Sequence, residues 1–367
     1  MKIFYDGVIF LYQWQGGVNR IFEEIIARLS RIDNNVEMYL HRFPDSFKRS
    51  FMKREYFLAP KIGRIFREVD NFIMSAEIKS YKPDIYHSTY YRIFKSNKIK
   101  NVITVYDMIH ERYPRYFLKA AYHLRQKRHS IETADRIIAI SENTRQDILN
   151  YYHVVEDKIN VTHLAASHNF YPAQKEEKNR FCKEYNLVRP YILYVGQRRG
   201  YKNFLLLLKT FSVWKKNRDI DLICIGGDRN WEREESVIIR KTSLVSSVKH
   251  FSCVNDSQLR LFYAASLVFV FPSLYEGFGI PILEAMACAS PVILAKSASM
   301  PEVAGDAGMY FDPNSIENLL YSLNKLSEDE DLRTELIRKG LNRNKQFSWS
   351  KTTKATYDIY QYLMQNR

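Results

Sequence analysis

The feature that most constrains this chain is a rhythm of short apolar runs, each followed by a longer amphipathic or polar stretch. In the first part the runs fall at residues 2–5, 36–42, 84–87, 101–106, 136–140 and 158–164; in the second they fall at 191–195, 221–225, 248–251, 267–271 and 291–294. Several are apolar at consecutive positions rather than alternate ones, which marks strands buried on both faces of a parallel sheet. Strand and helix in alternation predict an α/β fold, and here a doubly wound pattern is written twice. A chain of 367 residues with 46% hydrophobic content can fill two ordinary cores and exceeds the size at which one core stops growing. The polar stretch 167–184, with Pro172 and Lys175-Glu176-Glu177-Lys178, is the best linker. It divides the chain into domains 1–171 and 172–349, followed by an amphipathic helix over 350–367 that carries Tyr357, Tyr360 and Leu363.

Composition narrows the class. Cys182, Cys224, Cys253 and Cys288 show no metal-ligand spacing, and unpaired core-like cysteines imply a reducing, cytoplasmic setting. The chain starts as a strand without a signal-peptide pattern, and no apolar stretch is long enough for a bilayer, so neither export nor membrane insertion is expected. A formal net charge of +14 fits nucleic acid, an anionic membrane surface or anionic small molecules. The basic residues concentrate at Arg42, Lys48, Arg49, Lys53, Arg54, Lys61, Arg64 and Arg67, interleaved with Phe43, Phe47, Phe51, Phe57, Ile62, Ile65 and Phe66. That mixture suits a surface lying against anionic headgroups, with an ordinary basic face over core aromatics as the competing reading. No RNP, zinc-finger or helix-turn-helix signature is present, so nucleic acid is not an expected partner.

Chemistry concentrates where strands end. The run 267–271 leads into Pro272-Ser273-Leu274-Tyr275-Glu276-Gly277-Phe278-Gly279-Ile280-Pro281, and Pro281 marks the first turn of a helix. Strand-to-helix turns at the carboxyl edge of a parallel sheet bind anions, because free N–H groups and the positive helix end face one crevice. Gly16, Gly17, Gly196, Gly200, Gly226, Gly227, Gly277 and Gly279 all follow predicted strands, where a backbone can approach a ligand without a Cβ in the way.

Glu276 and Glu284, spaced E-x7-E, resemble the signature of the retaining glycosyltransferases of family 4. The resemblance implies the GT-B fold: two Rossmann-like domains facing across a cleft, with a C-terminal helix crossing back to the first. It also implies that Glu276 and the backbone of Gly277, Phe278 and Gly279 lie against the donor sugar and diphosphate, while Glu284 reaches the ribose. Tyr194-Val195-Gly196-Gln197-Arg198-Arg199-Gly200-Tyr201-Lys202-Asn203-Phe204 resembles the segment that carries an arginine and a lysine to the diphosphate, here Arg198 and Lys202. Two fixed cations would neutralise the leaving group. Gln15-Gly16-Gly17-Val18-Asn19-Arg20 resembles the N-terminal glycine loop that opens towards the donor. On the acceptor side Asp107 is the expected catalytic-site carboxylate. Many relatives have His-Asp where this chain has Tyr106-Asp107, so no catalytic histidine carries over to that point. His87 and His110 are candidates for binding sugar hydroxyls or are satisfied structural histidines; Glu142 binds acceptor or only favours the following helix start.

One match to the DxD motif of metal-dependent glycosyltransferases, Asp219-Ile220-Asp221, stands at a strand's entrance rather than its carboxyl end. Transfer without a metal or cofactor is therefore expected, the nucleotide-diphosphate sugar being a co-substrate. Within the family the motifs look most like bacterial enzymes of O-antigen or other surface-polysaccharide assembly, including mannosyltransferases using GDP-mannose. An acceptor that is lipid-linked or a growing polysaccharide follows, as does a place at the inner face of the cytoplasmic membrane. A nucleotide-sugar epimerase of the same architecture and a non-catalytic sugar-nucleotide-binding protein are the alternative readings.

Overall fold

A computed structural model describes residues 1–12, 17–41, 60–117 and 120–366. The chain divides into two compact units, Met1–Leu164 with Trp349–Arg367, and Ala165–Ser348. Among the described residues each is built on one six-stranded sheet, parallel throughout. In the first unit β1 (Lys2–Tyr5), β2 (Glu37–Leu40), β3 (Ile85–Ser88), β4 (Lys100–Val105), β5 (Arg136–Ala139) and β6 (Ile159–Val161) lie in the order β2-β1-β3-β4-β5-β6. In the second, β7 (Tyr191–Val195), β8 (Asp221–Ile225), β9 (Val248–Phe251), β10 (Val268–Phe271), β11 (Val292–Ala295) and β12 (Gly308–Phe311) lie in the order β12-β11-β10-β7-β8-β9. Every residue of β3, β8, β10 and β11 is buried, as unbroken apolar runs require when helices cover both faces.

Each order reverses once. In the first unit the reversal falls between β1 and β3, in the second between β7 and β10. Loops leaving the carboxyl ends of the strands at such a point splay apart and leave a binding crevice.

Two expectations need adjusting. Gly308–Phe311 is a strand that the sequence pattern did not predict; it starts on a glycine and sits at the sheet edge, half-buried over most of its length, so it lacks the apolar run of its neighbours. The division between units falls after Leu164, ahead of Pro172. Residues 165–174 are not a free linker: Phe170 is buried edge-on to Tyr263 at 6.1 Å, and the Tyr171 carbonyl accepts from Arg260. The basic segment lies largely outside the described residues, which omit 42–59 and the side chains of 60–68. Among the described residues no helix is long and apolar enough to cross a membrane.

The last helix, Trp349–Gln365, buries Thr352, Thr356, Ile359, Tyr360 and Leu363, the one-sided spacing of a helix docked on a core. It packs against the helix Gly17–Ile32 of the same unit. Its polar contacts fix the register: Thr352 donates to the His163 carbonyl at 2.7 Å and Tyr357 to Asp33 at 2.6 Å. The Tyr360 hydroxyl meets Tyr5 Oη at 2.9 Å and His87 Nδ1 at 2.5 Å, while His87 Nε2 meets Thr104 Oγ1 at 3.0 Å. Burial pushes the His87 pKa down from 6.5 to about 3, so the native ring is neutral at physiological pH.

Because the folded pKa lies below the unfolded one, the unfolded chain binds the extra proton first as pH falls. Thermal stability should therefore be full above about pH 6.5 and decline on acidification towards pH 3, where the native His87 itself titrates. His87→Gln, neutral and able to both donate and accept, should flatten the part of that decline between about pH 6.5 and 5, before carboxylates contribute. Melting curves across this window check it; equal slopes for the two proteins would refute it.

Candidate active site

The loops after β7 and β10 meet at the reversal point of the second sheet. After β7 the chain makes a tight turn over Gly200–Lys202, and Asn203 takes a left-handed conformation, φ 56°, before the helix Phe204–Trp214. Asn203 Nδ2 donates to the Pro313 carbonyl at 2.8 Å, which holds the turn. After β10, the Leu274 N–H donates to the Tyr201 carbonyl at 2.7 Å, tying the loops together. The Ser299 hydroxyl lies 2.9 Å from the carbonyls of both Glu276 and Phe278, and Ser297 donates to the Leu274 carbonyl. Gly279 closes the turn at φ 94°, a left-handed conformation that favours glycine.

This scaffold brings Lys202 Nζ to 2.7 Å from Glu276 Oε1, with side chains 17% and 11% exposed. A nearly buried ammonium can face a phosphate while the carboxylate beside it accepts from sugar hydroxyls, and low surrounding polarity strengthens both contacts. Glu284 sits in the following helix, Ile280–Ala287, where its carboxylate accepts from the Tyr263 hydroxyl at 3.3 Å. Phe278 is in the core, edge-on to Phe347 at 5.8 Å, so its ring is closed to a ligand. Gly17 opens the helix Gly17–Ile32 of the first unit, and Gly16 lies outside the described residues.

Arg198 corrects the sequence reading. Its side chain is 2% exposed and is consumed inside the second unit: Nε pairs with Glu235 at 3.2 Å, and Nη1 donates to the Gly226 carbonyl at 3.1 Å. Nη1 also meets His250 Nε2 at 2.8 Å, Nη2 donates to the carbonyls of Asp228 and Asn230 at 2.8 Å, and the guanidinium lies 4.7 Å from the Trp231 ring centre. A guanidinium with its donors spent in this way is a brace for the loop after β8, unavailable to a diphosphate. Gly226 and Gly227 serve the same purpose, both at positive φ; a Cβ on Gly227 would meet Arg198 Nη1 at 3.1 Å. Arg199 is exposed and paired with Asp228 and Glu232. Of the expected cationic pair, Lys202 alone stands beside Glu276.

The acceptor-side candidates also separate. Asp107, half-buried after β4, accepts from the Ile109 N–H at 3.0 Å. His110, on the same turn, lies 4.1 Å from the ring centre of His123 and 4.2 Å from that of Phe117. Burial lowers both imidazole pKa values, that of His123 to about 4. His87 is fully buried with both nitrogens bonded, so its role is structural and not in binding sugar. Glu142 lies in the first turn of the helix Glu142–Tyr151, which Ser141 caps, and pairs with Arg145; it stabilises that helix start. Sequence reasoning missed His123, Phe117, Ser299 and Lys127, which reaches the Asp107 carbonyl at 2.5 Å. No spacing announced them.

Asp219 and Asp221 are held by cations: Arg189 reaches Asp219 at 2.7 Å and Asp221 at 3.1 Å, and Lys249 lies 3.6 Å from Asp221. Asp221 starts β8, so the motif sits at the amino edge of the sheet, opposite Lys202.

Residues 15–170 match the family described as Glycosyltransferase Family 4, and residues 175–343 match Glycosyl transferases group 1. Over 292 residues, 78% of this chain and 76% of the other, the chain is 30% identical to the O-antigen chain mannosyltransferase B of Escherichia coli. Sucrose-phosphate synthase of Thermosynechococcus elongatus superposes with a TM-score of 0.78 at 18% identity, covering 100% of both chains. WaaG, a glycosyltransferase involved in lipopolysaccharide biosynthesis, superposes with a TM-score of 0.75 at 16% identity over 98% of this chain and 99% of its own. At such identities the two structures define the fold, GT-B. The sequence matches define the rest: this chain is a glycosyltransferase and belongs to family 4.

The two cations should differ in how much stability their truncation costs. Arg198→Ala leaves Glu235 buried without its partner, and the expected loss is about 3–5 kcal/mol of stability. Lys202→Ala, at a turn on the sheet edge, should cost less than about 1.5 kcal/mol. Chemical denaturation of both variants checks the contrast; an Arg198→Ala protein as stable as wild type would return that arginine to the list of ligand-binding groups.

Proposed function

We propose that the second unit binds a nucleoside-diphosphate hexose, with GDP-mannose as the preferred donor, and that the enzyme transfers the hexose with retention to a lipid-linked or growing surface polysaccharide such as O-antigen. The observation that carries the reading is the Lys202–Glu276 pair at the reversal point between β7 and β10. The likeness to the O-antigen chain mannosyltransferase B of Escherichia coli supports the choice of mannose and of O-antigen.

In this mechanism the bond from the anomeric carbon to the diphosphate oxygen breaks as the acceptor oxygen bonds on the same face, and the acceptor proton passes to the leaving diphosphate. Lys202 neutralises charge that grows on the diphosphate, and a fixed cation does this without solvent reorganisation. Glu276 holds the Lys202 ammonium in place and accepts from donor sugar hydroxyls, with the Gly277–Gly279 backbone alongside; Glu284 accepts from the ribose. The Asp107 turn handles the acceptor. Neither metal nor cofactor enters, a reading supported by the cation-bound state of Asp219 and Asp221. Attachment to the inner face of the cytoplasmic membrane belongs to the same proposal. It is supported by Val69, Phe72 and Ile73, exposed on the helix Pro60–Tyr81, whose first turns are the last part of the basic segment.

Steady-state transfer from GDP-mannose tests the reading. Wild-type activity should persist in excess EDTA, and Lys202→Ala should lower kcat by about 10²-fold or more. Glu284→Gln should raise donor KM more than it lowers kcat. In a thermal-shift series, GDP at one hundred times its Kd should stabilise the protein by about 2.7 kcal/mol. A folded Lys202→Ala enzyme turning over at the wild-type rate would remove the mechanism, and activity abolished by EDTA and restored by Mn2+ would remove its metal independence. For the membrane, Phe72→Glu should weaken binding to vesicles containing phosphatidylglycerol, and equal binding of both proteins would count against attachment through this helix.

A further inference from the structure

Lys127 is fully buried in the middle of the helix Ala120–Thr133. Its ammonium donates to the Asp107 carbonyl at 2.5 Å, lies 2.9 Å from one Glu111 carboxylate oxygen and 3.1 Å from the other, and sits 5.5 Å from the Tyr91 ring centre. Tyr152 donates its hydroxyl to the same carboxylate.

Stability alone does not call for lysine there. A buried ion pair gives back in attraction roughly what desolvation costs, and well-packed apolar residues often serve as well or better. What this pair does is mechanical. The ammonium pins the turn at both ends, at the carbonyl of residue 107 and the side chain of residue 111. Asp107 and His110 lie between or at those anchors. His123 lies one helical turn before Lys127, so the same helix carries both the pin and the ring that packs on His110 at 4.1 Å.

We propose that Lys127 is a positioning residue for transfer: through Glu111 and the Asp107 carbonyl it locks the 107–111 turn against His123, so that Asp107 and His110 meet the acceptor sugar as one rigid surface. This rests on the reading that the Asp107 turn handles the acceptor. A displaced reacting group is costly, since a misplacement of about 1 Å can lose about 10²-fold in rate.

The test uses the full chain, GDP-mannose as donor and an alkyl α-mannoside as acceptor, with kcat and both KM values measured for Lys127→Met, Glu111→Gln, the double variant and Asp107→Asn. Lys127→Met should raise the acceptor KM and lower kcat by about tenfold or more, with donor KM and the thermal shift induced by GDP unchanged. If Lys127→Met alone does not accumulate as folded protein, the double variant carries the test, because it leaves no unpaired buried charge. A folded variant with wild-type acceptor KM and kcat overturns the proposal. So does a double variant that also fails to fold, which would make the pair structural. If Asp107→Asn also transfers at the wild-type rate with unchanged acceptor KM, the fault lies in assigning the turn to the acceptor, and the role of Lys127 falls with it.

Discussion

The parallel pairing of β7 with β10, in register at Ile192 with Val268 and Leu193 with Phe269, is the constraint on which the donor side depends. The strands are neighbours in the sheet although β8 and β9 lie between them in the chain. Their carboxyl-end loops therefore rise side by side from the point where the strand order reverses. Hydrogen bonds on that edge reinforce the meeting: Leu274 bonds Tyr201, Ser297 bonds Leu274, and Ser299 holds two carbonyls of the Glu276 loop. The Lys202–Glu276 pair is the outcome of that bracing. Its two residues are 74 positions apart, and neither loop alone would hold its charged group in so narrow a space.

Among the described residues, three buried charges elsewhere in the protein are each held by several partners. Asp6, after β1, is fully buried and accepts from the Thr89 N–H at 2.8 Å and hydroxyl at 2.6 Å, from the Tyr86 and Ser88 hydroxyls at 2.8 Å, and from the Val8 N–H at 3.2 Å. Arg198 has backbone carbonyls, Glu235 and His250; Lys127 has Glu111 and the Asp107 carbonyl. Each ties together segments distant in sequence, which is how a buried charge holds geometry when its net effect on stability is small. Lys202 and Glu276 differ in keeping some exposure, which suits the ligand contacts proposed for them.

The strands were legible because a strand covered on both faces needs an unbroken apolar run, and the Glu276 turn because proline, glycine and a following helix mark it locally. The roles of the basic residues after β7 were not. Arg198 and Lys202 share one loop and one charge, but Gly200, at positive φ, turns the backbone between them so that one guanidinium enters the core and one ammonium meets Glu276. Nothing in residue spacing encodes that rotation. His87 was ambiguous for a related reason: in a strand with no solvent face, a polar residue can be either a ligand or a satisfied core group, and the partner that decides, Tyr360, comes from the far end of the chain. Lys127 was invisible because a lysine in mid-helix ordinarily points to water.

Tyr106 shows what the departure from the family's histidine does at that position. Its ring is buried beside Tyr90, its hydroxyl donates to the Thr89 carbonyl at 2.7 Å, and Thr89 in turn donates to Asp6. One chain of hydrogen bonds therefore joins the carboxyl ends of β1, β3 and β4, the strands around the reversal point of the first sheet. Burial, reinforced by Asp6 and neighbouring acidic groups, holds the phenol well above its ordinary pKa, so Tyr106 does not act as a base near neutrality. In this structure Tyr106 is a strut. In the proposed mechanism the leaving diphosphate takes the acceptor's proton, so no base is needed at that point, and the Asp6–Thr89–Tyr106 hydrogen bonds run up to the residue before Asp107.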